Sequence, residues 1–143
     1  IAIAFNVSVE VFLRQLDTVH QHILPAGGKE ILNTRNQFRE YLGGSRRQFS
    51  LPLDITHLTV FQRVVLEAVV QVPYGETCSY TQIASRMGCP QSARAVGRAI
   101  ARNPLPIIIP CHRIINSNGS LGGYSCPGGP HTKRSLLDLE NAC

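Results

Sequence analysis

The sequence contains no tryptophan, a single methionine and no long run of apolar residues. No segment approaches the roughly 18 consecutive apolar residues expected of a membrane span, and nothing at the start resembles a basic-then-apolar secretory leader. We therefore expect no membrane partner and a location in the cytoplasm, or in the nucleus if the source is a eukaryote.

Cysteine pairs with the spacing of a metal or redox motif are also missing. The five cysteines are an odd number, and no two of them are separated by two residues: Cys78, Cys89, Cys111, Cys126 and Cys143. A disulfide framework is therefore disfavoured, and a nucleophilic role for at least one reduced thiol stays open. His20 and His22 are close together, but no cysteine precedes Cys78 to complete a zinc ligand set. We predict no metal site and no cofactor.

The residues that are present indicate a globular chain. A length of 143 residues with 43% hydrophobic content is enough for one compact unit, with room for two lobes, that buries a core without disulfides. The net charge is +5, from 14 Lys and Arg against 9 Asp and Glu. That balance suits a polyanionic partner but also fits ordinary basic domains, so the positions of the charges matter more than their sum.

The first part of the chain, residues 1–56, carries patterns of structure but none of chemistry. The patterns predict a strand at 1–8 and an amphipathic helix at 9–23. They also predict a shorter helix at 33–42, which Gly43-Gly44 ends, and an extended connector at 45–58. We interpret residues 1–56 as an α/β lobe that supports the rest of the chain.

The second part, residues 57–143, has sharper helix signals. Thr59 with Gln62 and Ser79 with Gln82 form possible capping boxes, and Ser92 is a possible cap for a third helix. Helices are predicted at 60–71, 80–87 and 93–102, followed by a final helix that contains Leu136, Leu137 and Leu139. The succession of helix, tight turn and helix is the outline of a helix-turn-helix.

The helix at 93–102 has two different faces. Arg94, Arg98 and Arg102 recur every four residues and share one side, with the small Gly97 and Ala101 beside them. A solvated arginine face is the ordinary interpretation of such a helix. The small residues favour a second one, because they would let the backbone approach a phosphate-lined groove closely.

Cys111 ends an aliphatic run and is followed directly by His112. A cysteine in this position is most often a buried structural thiol. An adjacent imidazole favours a nucleophile instead, if a carboxylate orients the ring, because it can raise the thiolate fraction. The papain-type arrangement would need a distant histidine and a different local signature, which disfavours a protease.

Several motifs together resemble a known family, the O6-alkylguanine-DNA alkyltransferases, which move an alkyl group from DNA onto their own cysteine. The motifs are "PYGETCSYTQIA", "SARAVGRAIARNP", "IPCHRII" and "LGGYS", the last ahead of a leucine-rich helix with a glutamate. The resemblance runs from Phe61 to Glu140, with a looser similarity at "YLGGSRRQFSLPLD". It implies an α/β fold: a small amino-terminal lobe, RNase H-like in the family and shortened here, and a mainly helical lobe at 57–143 with a helix-turn-helix.

The resemblance also implies roles in the chemistry. Cys111 matches the alkyl acceptor, and His112 and Glu140 match the pair that activates it through a water. Asn103 matches a residue that braces the turn around the cysteine. Tyr80 matches a phenol that donates a proton to the departing guanine.

The implied partner is double-stranded DNA that contains alkylated bases. The helix at 93–102 resembles one that enters the minor groove, and Arg94 matches the arginine that fills the gap left by a flipped nucleotide. The remaining DNA-binding and base-pocket residues are Gly97, Arg98, Arg102, Tyr124 and Ser125. We expect a monomer, and cooperative binding along DNA stays open.

Three positions depart from the family pattern. Leu66 stands where many members have tryptophan, and Arg98 stands at a position that is usually small. Cys126-Pro127 is a two-residue insertion just after Ser125, at the rim of the expected base pocket. The insertion leaves the tolerance for bulky alkyl groups open.

We therefore expect stoichiometric removal of alkyl groups from O6-alkylguanine, with O4-alkylthymine as a lesser substrate. One alternative is an alkyltransferase-like protein that binds the lesion without accepting the group, but such proteins typically replace the acceptor cysteine. The other is a helix-turn-helix regulator, which leaves Tyr80, His112 and Glu140 unexplained.

Overall fold

The computed structural model describes residues 28–141, so the strand predicted at 1–8 and the helix predicted at 9–23 lie outside the described residues. The chain divides into two compact units, Ile1–Ile55 and Thr56–Cys143. The separate roles predicted for residues 1–56 and 57–143 stay predictions.

The described part of the first unit is one helix and a connector that packs back onto it. Helix α1 spans Gly28–Leu42 and therefore begins five residues before the predicted start at 33. The pair Gly43-Gly44 ends it as predicted, with the amide of Gly43 donating to Arg39 O at 2.8 Å and Gly44 at a φ of 75°. The earlier start has a local reason, since Lys29 to Leu32 are good helix formers directly after the glycines.

Aromatic contacts and side-chain hydrogen bonds are among the interactions that fix the connector to α1. The ring centroid of Phe49 lies 4.9 Å from that of Phe38 and 5.3 Å from that of Tyr41, both of which are buried. The side chain of Gln37 accepts from the amide of Ser50 and donates to its carbonyl. Backbone groups of an extended segment are thus satisfied without a strand partner.

The described part of the second unit combines four α-helices with a small parallel sheet. The helices are α2 (Val60–Val70), α3 (Tyr80–Arg86), α4 (Ala93–Ile100) and α5 (Gly129–Leu139). Strands β1 (Cys78–Ser79) and β2 (Ile114–Ile115) pair in parallel, with Cys78 opposite Ile114 and Ser79 opposite Ile115. The mixed, helix-rich architecture agrees with the predicted α/β class.

Two of the three predicted helix caps are confirmed and one is wrong. Thr59 and Ser79 each accept from the amide three residues later, and the glutamine there accepts from the cap amide, so both capping boxes are complete. Ser92 makes no side-chain cap. The reason is the one-turn 3₁₀ helix at Pro90–Ser92, which runs straight into α4 and takes Ser92 out of the extended conformation that a capping side chain needs.

Helix α4 has a buried apolar side and an exposed basic side. Val96 and Ile100 are buried, whereas Arg94, Arg98 and Arg102 are exposed. The helix ends at Ile100, earlier than the predicted 102, so Arg102 lies in the turn that follows. A basic face therefore extends along α4 and one turn beyond it.

Candidate active site

The aliphatic run before Cys111 forms a folded loop that anchors the thiol. Leu105, Ile107 and Ile109 are buried, and the amide of Ile109 donates to Leu105 O at 2.8 Å. Ile107 has a φ of 74°, which is unfavourable for a β-branched residue and is held here by the surrounding packing. The apolar side chains thus fix the loop in the core, and Cys111 opens the one-turn 3₁₀ helix Cys111–Arg113 that follows.

Asn103 closes this loop across its two ends. Its Nδ2 donates to Ile109 O at 3.0 Å, and its Oδ1 accepts from the amide of Leu105 at 2.9 Å. Both bonds are buried, and losing the second would leave the buried amide of Leu105 without this acceptor. Asn103 is therefore placed to hold the turn that carries Cys111.

His112, Glu140 and Arg113 form a buried ionic network, and two of its members directly follow Cys111 in the chain. Nε2 of His112 lies 3.0 Å from Oε1 of Glu140. Arg113 donates to the same carboxylate twice, from Nε to Oε2 at 2.8 Å and from Nη2 to Oε1 at 2.9 Å. A carboxylate held by a bidentate guanidinium cannot rotate freely, so it fixes the orientation of the imidazole.

Two further contacts fix the network to the loop before β1. The amide of Gly75 donates to Oε2 of Glu140 at 3.2 Å, and Nη1 of Arg113 donates to Val72 O at 2.7 Å. The guanidinium carbon of Arg113 also lies 5.7 Å from the ring centroid of Tyr74. Arg113 received no role from the sequence, although its position next to Cys111 and His112 in one short motif was a signal for one.

The thiol and the imidazole are both neutral in the resting protein. Burial raises the pKa of Cys111 to about 11, against the opposing effects of a hydrogen bond from Asn103 and the charge of Lys133. Burial, together with the charges of Arg113 and Lys133, lowers the pKa of His112 against the raising effect of the adjacent Glu140. A stable thiolate–imidazolium pair is therefore not formed in advance, and the proton must leave the thiol when a substrate is present.

Cys111 opens into a cavity of about 370 Å³. The cavity is lined by Tyr80, Gly97, Ile100, Ala101, Cys111, Gly123, Tyr124 and Ser125. Burial raises the pKa of Tyr80, with a further contribution from Cys111, so its phenol keeps its proton at neutral pH. The cavity brings the predicted base-pocket residues and the predicted acceptor together, and a volume in this range suits a small planar ligand.

A second cavity, of about 380 Å³, is also lined by Tyr80 and Gly97. Its remaining lining residues are Thr81, Ala93, Arg94, Asn116 and Ser117. Arg94 therefore lines a different cavity from Cys111. Arg98 and Arg102 line neither of the two cavities and are exposed on the same basic face.

The Cys126-Pro127 segment forms a tight turn into α5 at the rim of the Cys111 cavity. The amide of Gly129 donates to Cys126 O at 2.9 Å, and the hydroxyl of Thr132 donates to Pro127 O at 2.7 Å. Gly128 has a φ of 82°, and a Cβ there would lie 2.2 Å from Oγ1 of Thr132. The turn therefore requires glycine at that position.

Within residues 28–141 no cluster of three or more His, Cys, Asp or Glu side chains could hold a metal ion. Across the same range, no helix combines the length and the apolar character that crossing a membrane requires. The four cysteines in this part of the chain are free thiols: Cys78, Cys89, Cys111 and Cys126.

Residues 60–142 match the family described as 6-O-methylguanine DNA methyltransferase, DNA binding domain. The chain is 40% identical over 146 residues to the methylated-DNA--protein-cysteine methyltransferase of Mycobacterium tuberculosis (strain ATCC 25618 / H37Rv), an alignment that covers 99% of this chain and 86% of that protein.

Two similar solved structures contain DNA. One is the crystal structure of Mycobacterium tuberculosis OGT in complex with DNA, which has a TM-score of 0.74 and 44% identity and covers 78% of this chain and 68% of that one. The other is S. pombe Atl1 in complex with damaged DNA containing O6-carboxymethylguanine, with a TM-score of 0.51, 34% identity and coverage of 56% of this chain and 74% of that one.

The family match includes every residue of the Cys111 cavity and of the His112–Glu140–Arg113 network. The Mycobacterium tuberculosis relative extends the similarity over nearly the whole chain. On these grounds the chain belongs to the O6-methylguanine-DNA methyltransferase family.

Proposed function

We propose that this protein repairs DNA by transferring the alkyl group of O6-alkylguanine to Cys111, once per molecule. The observations that carry the proposal are the Cys111 cavity, in which a buried thiol faces a ligand-sized space, and the buried His112–Glu140–Arg113 network, which begins at the next residue of the chain. The names of the relatives support the same reaction.

The reaction is a single displacement. Sγ of Cys111 attacks the alkyl carbon, a C–S bond forms, and the bond between that carbon and O6 breaks. Guanine leaves with the electron pair, and a proton from the phenol of Tyr80 neutralises it. Tyr80 then recovers a proton, so in balance the proton of the thiol replaces the alkyl group on guanine.

His112 is the group that takes the thiol proton. Since Nε2 donates to the Glu140 carboxylate, the lone pair of the neutral ring is on Nδ1. Side chains of consecutive residues diverge, so a water carries the proton from Cys111 to this nitrogen. Glu140 stabilises the imidazolium that forms, in the way that an orienting carboxylate supports a general base.

The basic face on and after α4 is the proposed DNA contact. Helices α3 and α4 with the intervening turn act as a helix-turn-helix, and α4 enters the minor groove. The target base rotates into the Cys111 cavity, because a thiolate cannot reach the alkyl carbon in line inside a stacked duplex. Arg94 then fills the gap from the second cavity, while Arg98 and Arg102 contact phosphates.

The remaining proposals follow the family. Residues 1–56 form a supporting lobe of the RNase H-like kind, and residues 57–143 bind DNA and accept the alkyl group. The protein acts as a monomer on double-stranded DNA that contains alkylated bases, and O4-alkylthymine is a lesser substrate. Its location is the cytoplasm, or the nucleus if the source is a eukaryote.

A burst experiment tests the proposal against lesion binding without transfer. A fixed amount of protein is incubated with excess duplex that contains O6-methylguanine, and repaired guanine is counted over time. We expect a plateau at one repaired lesion per protein, and no repair by Cys111→Ala with duplex binding retained. Tight binding of the lesion without any repair by the native protein would favour an alkyltransferase-like protein instead.

A further inference from the structure

Lys133 is a fully buried cation that the proposed reaction does not use. It lies in α5 with none of its surface exposed. Its Nζ donates to three backbone carbonyls, those of Ile114, Leu121 and Gly123. An ammonium has three N–H donors, so these carbonyls use the full set, and the third bond exists only while the lysine is protonated.

One of the three carbonyls belongs to β2, and the other two belong to the loop that runs into the Cys111 cavity. Ile114 follows the Cys111–Arg113 turn and begins β2. Leu121 and Gly123 belong to the loop that continues into Tyr124 and Ser125, and Gly123 lines the cavity itself. Lys133 therefore joins the turn that carries the nucleophile to the loop that faces it.

The charge of Lys133 also acts on the nucleophile. Backbone carbonyls carry no net charge, so the three hydrogen bonds do not neutralise the ammonium. Its field lowers the pKa of the Cys111 thiol, and the thiolate in turn raises the pKa of Lys133, which burial brings down to about 8. All three donors are already occupied, so this effect is one of field and position rather than of a hydrogen bond to sulfur.

We infer that Lys133 is a positioning residue for alkyl transfer: its buried ammonium fixes the loop at 121–125 to β2 and supplies the positive charge that supports the Cys111 thiolate. The inference rests on the proposed function for its meaning in repair. Its electrostatic part applies to the thiol alone and is testable without any DNA.

The first test is the rate at which iodoacetamide modifies Cys111 as a function of pH, followed on the Cys111 peptide by mass spectrometry. In Lys133→Met we expect the rate at pH 7.5 to fall about tenfold, which corresponds to a rise of about one unit in the thiol pKa. Lys133→Arg keeps the charge and retains most of the rate. Arg134→Met removes an exposed charge from the next position of α5 and leaves the rate unchanged.

The pH profile of the native protein is a test that requires no variant. Such a test is needed because Lys133→Met leaves three carbonyls without the ammonium donor and can fail to fold. We expect the rate to rise tenfold per pH unit up to about pH 8, where Lys133 loses its proton, to stay nearly constant for about one pH unit, and then to rise again along a line about tenfold lower. Burial lowers the pKa of His112 and raises the pKa of Tyr80 and of Cys126, so all three shifts lead away from the range between pH 7 and 9. Two further charged groups of this region, Arg113 and Glu140, bind each other. A rise that continues unchanged to pH 10 would overturn the electrostatic part.

The second test separates the loop from the charge. The rate of transfer from O6-methylguanine duplex depends on both the loop and the charge. The rate at which iodoacetamide modifies Cys111 depends on the charge alone. We expect transfer by Lys133→Met to fall further than its iodoacetamide rate, and transfer by Lys133→Arg to fall less. Unchanged transfer in Lys133→Met, or a loss of transfer with an unchanged thiol pKa, would contradict the inference. If the native protein transfers no methyl group, the proposed function fails while the iodoacetamide result still decides the role of the lysine charge.

Discussion

The cavity of Cys111 and the cavity of Arg94 share Tyr80 and Gly97 as lining residues but differ in what surrounds them. In the network that begins at His112, the residue after Cys111, buried charged and polar groups bind one another through hydrogen bonds of 2.8 to 3.2 Å. Around Arg94, the charges are exposed on the surface of α4. In the first region, charged groups are buried at a cost in desolvation, and their contacts orient a few atoms. The second region supplies charge that becomes effective only when DNA is present.

The largest effect is expected from removing the carboxylate that joins the buried network. Glu140→Ala leaves the Arg113 charge, the His112 ring and the Gly75 amide without their shared acceptor. We expect a loss of about 3–5 kcal/mol in the free energy of unfolding, measured with urea. Glu67→Ala, which removes an exposed carboxylate from α2, should change it by less than about 0.5 kcal/mol. Equal, small losses in both variants would erase the distinction between the two regions.

Arg94→Ala should show the opposite pattern, with stability kept and repair of duplex reduced. Flipping a base costs a few kcal/mol, so an arginine that holds the flipped state is expected to contribute at least about tenfold to the rate on duplex. Reaction with free O6-benzylguanine should change little, because no base has to leave a stack. Arg134→Ala serves as the exposed control. Losses of the same size on duplex and on the free base would remove this role from Arg94.

The stability of the buried region should fall in acid because of His112. Burial lowers the pKa of this ring in the folded protein, whereas the unfolded chain titrates near 6.5. Below pH 6.5 the unfolded chain binds a proton on His112 that the folded protein does not bind. The stabilising contribution of the neutral ring is therefore complete above pH 6.5 and is lost as the pH falls, by up to about 1.4 kcal/mol per pH unit. Urea unfolding of the native protein and of His112→Gln between pH 5 and 7.5 measures the difference. The variant should have the shallower dependence, and parallel curves would show that the ring does not titrate as described.

The smallest effect is expected on the exposed face. If Arg98 contacts a phosphate, Arg98→Ala lowers the slope of log binding constant against log salt by about one unit on undamaged duplex. Titrations at several salt concentrations measure this slope. A slope equal to that of the native protein would place Arg98 in solvent.

How far the sequence predicted this structure depended on how local each signal was. The capping boxes at Thr59 and Ser79 were predictable because a cap and its partner lie three residues apart. Ser92 had the same local residues, but the preceding 3₁₀ turn at Pro90–Ser92 decided its conformation. Two-residue strands are too short to show an alternating pattern, so the pairing of β1 with β2 could not be predicted.

The residues of the site also differ in how far the sequence predicted them. Cys111, His112 and Glu140 were found through family motifs, and the structure brings the last two within hydrogen-bonding distance across 28 positions of sequence. The contacts of Arg113 and Lys133 depend on where other parts of the chain lie. A lysine within an amphipathic helix ordinarily indicates an exposed charge, so its burial against three carbonyls was not predictable from the sequence.

The central claim, that Cys111 is an acceptor consumed by one reaction, is tested most directly by mass. A thioether at an sp³ carbon has no good leaving group, so the thiolate is not regenerated. After incubation with excess O6-methylguanine duplex, the intact chain should gain the mass of one methyl group, and fragmentation should place it on the peptide that contains Cys111. A label on Cys78, Cys89, Cys126 or Cys143, or sustained turnover by a chain of unchanged mass, would contradict the account.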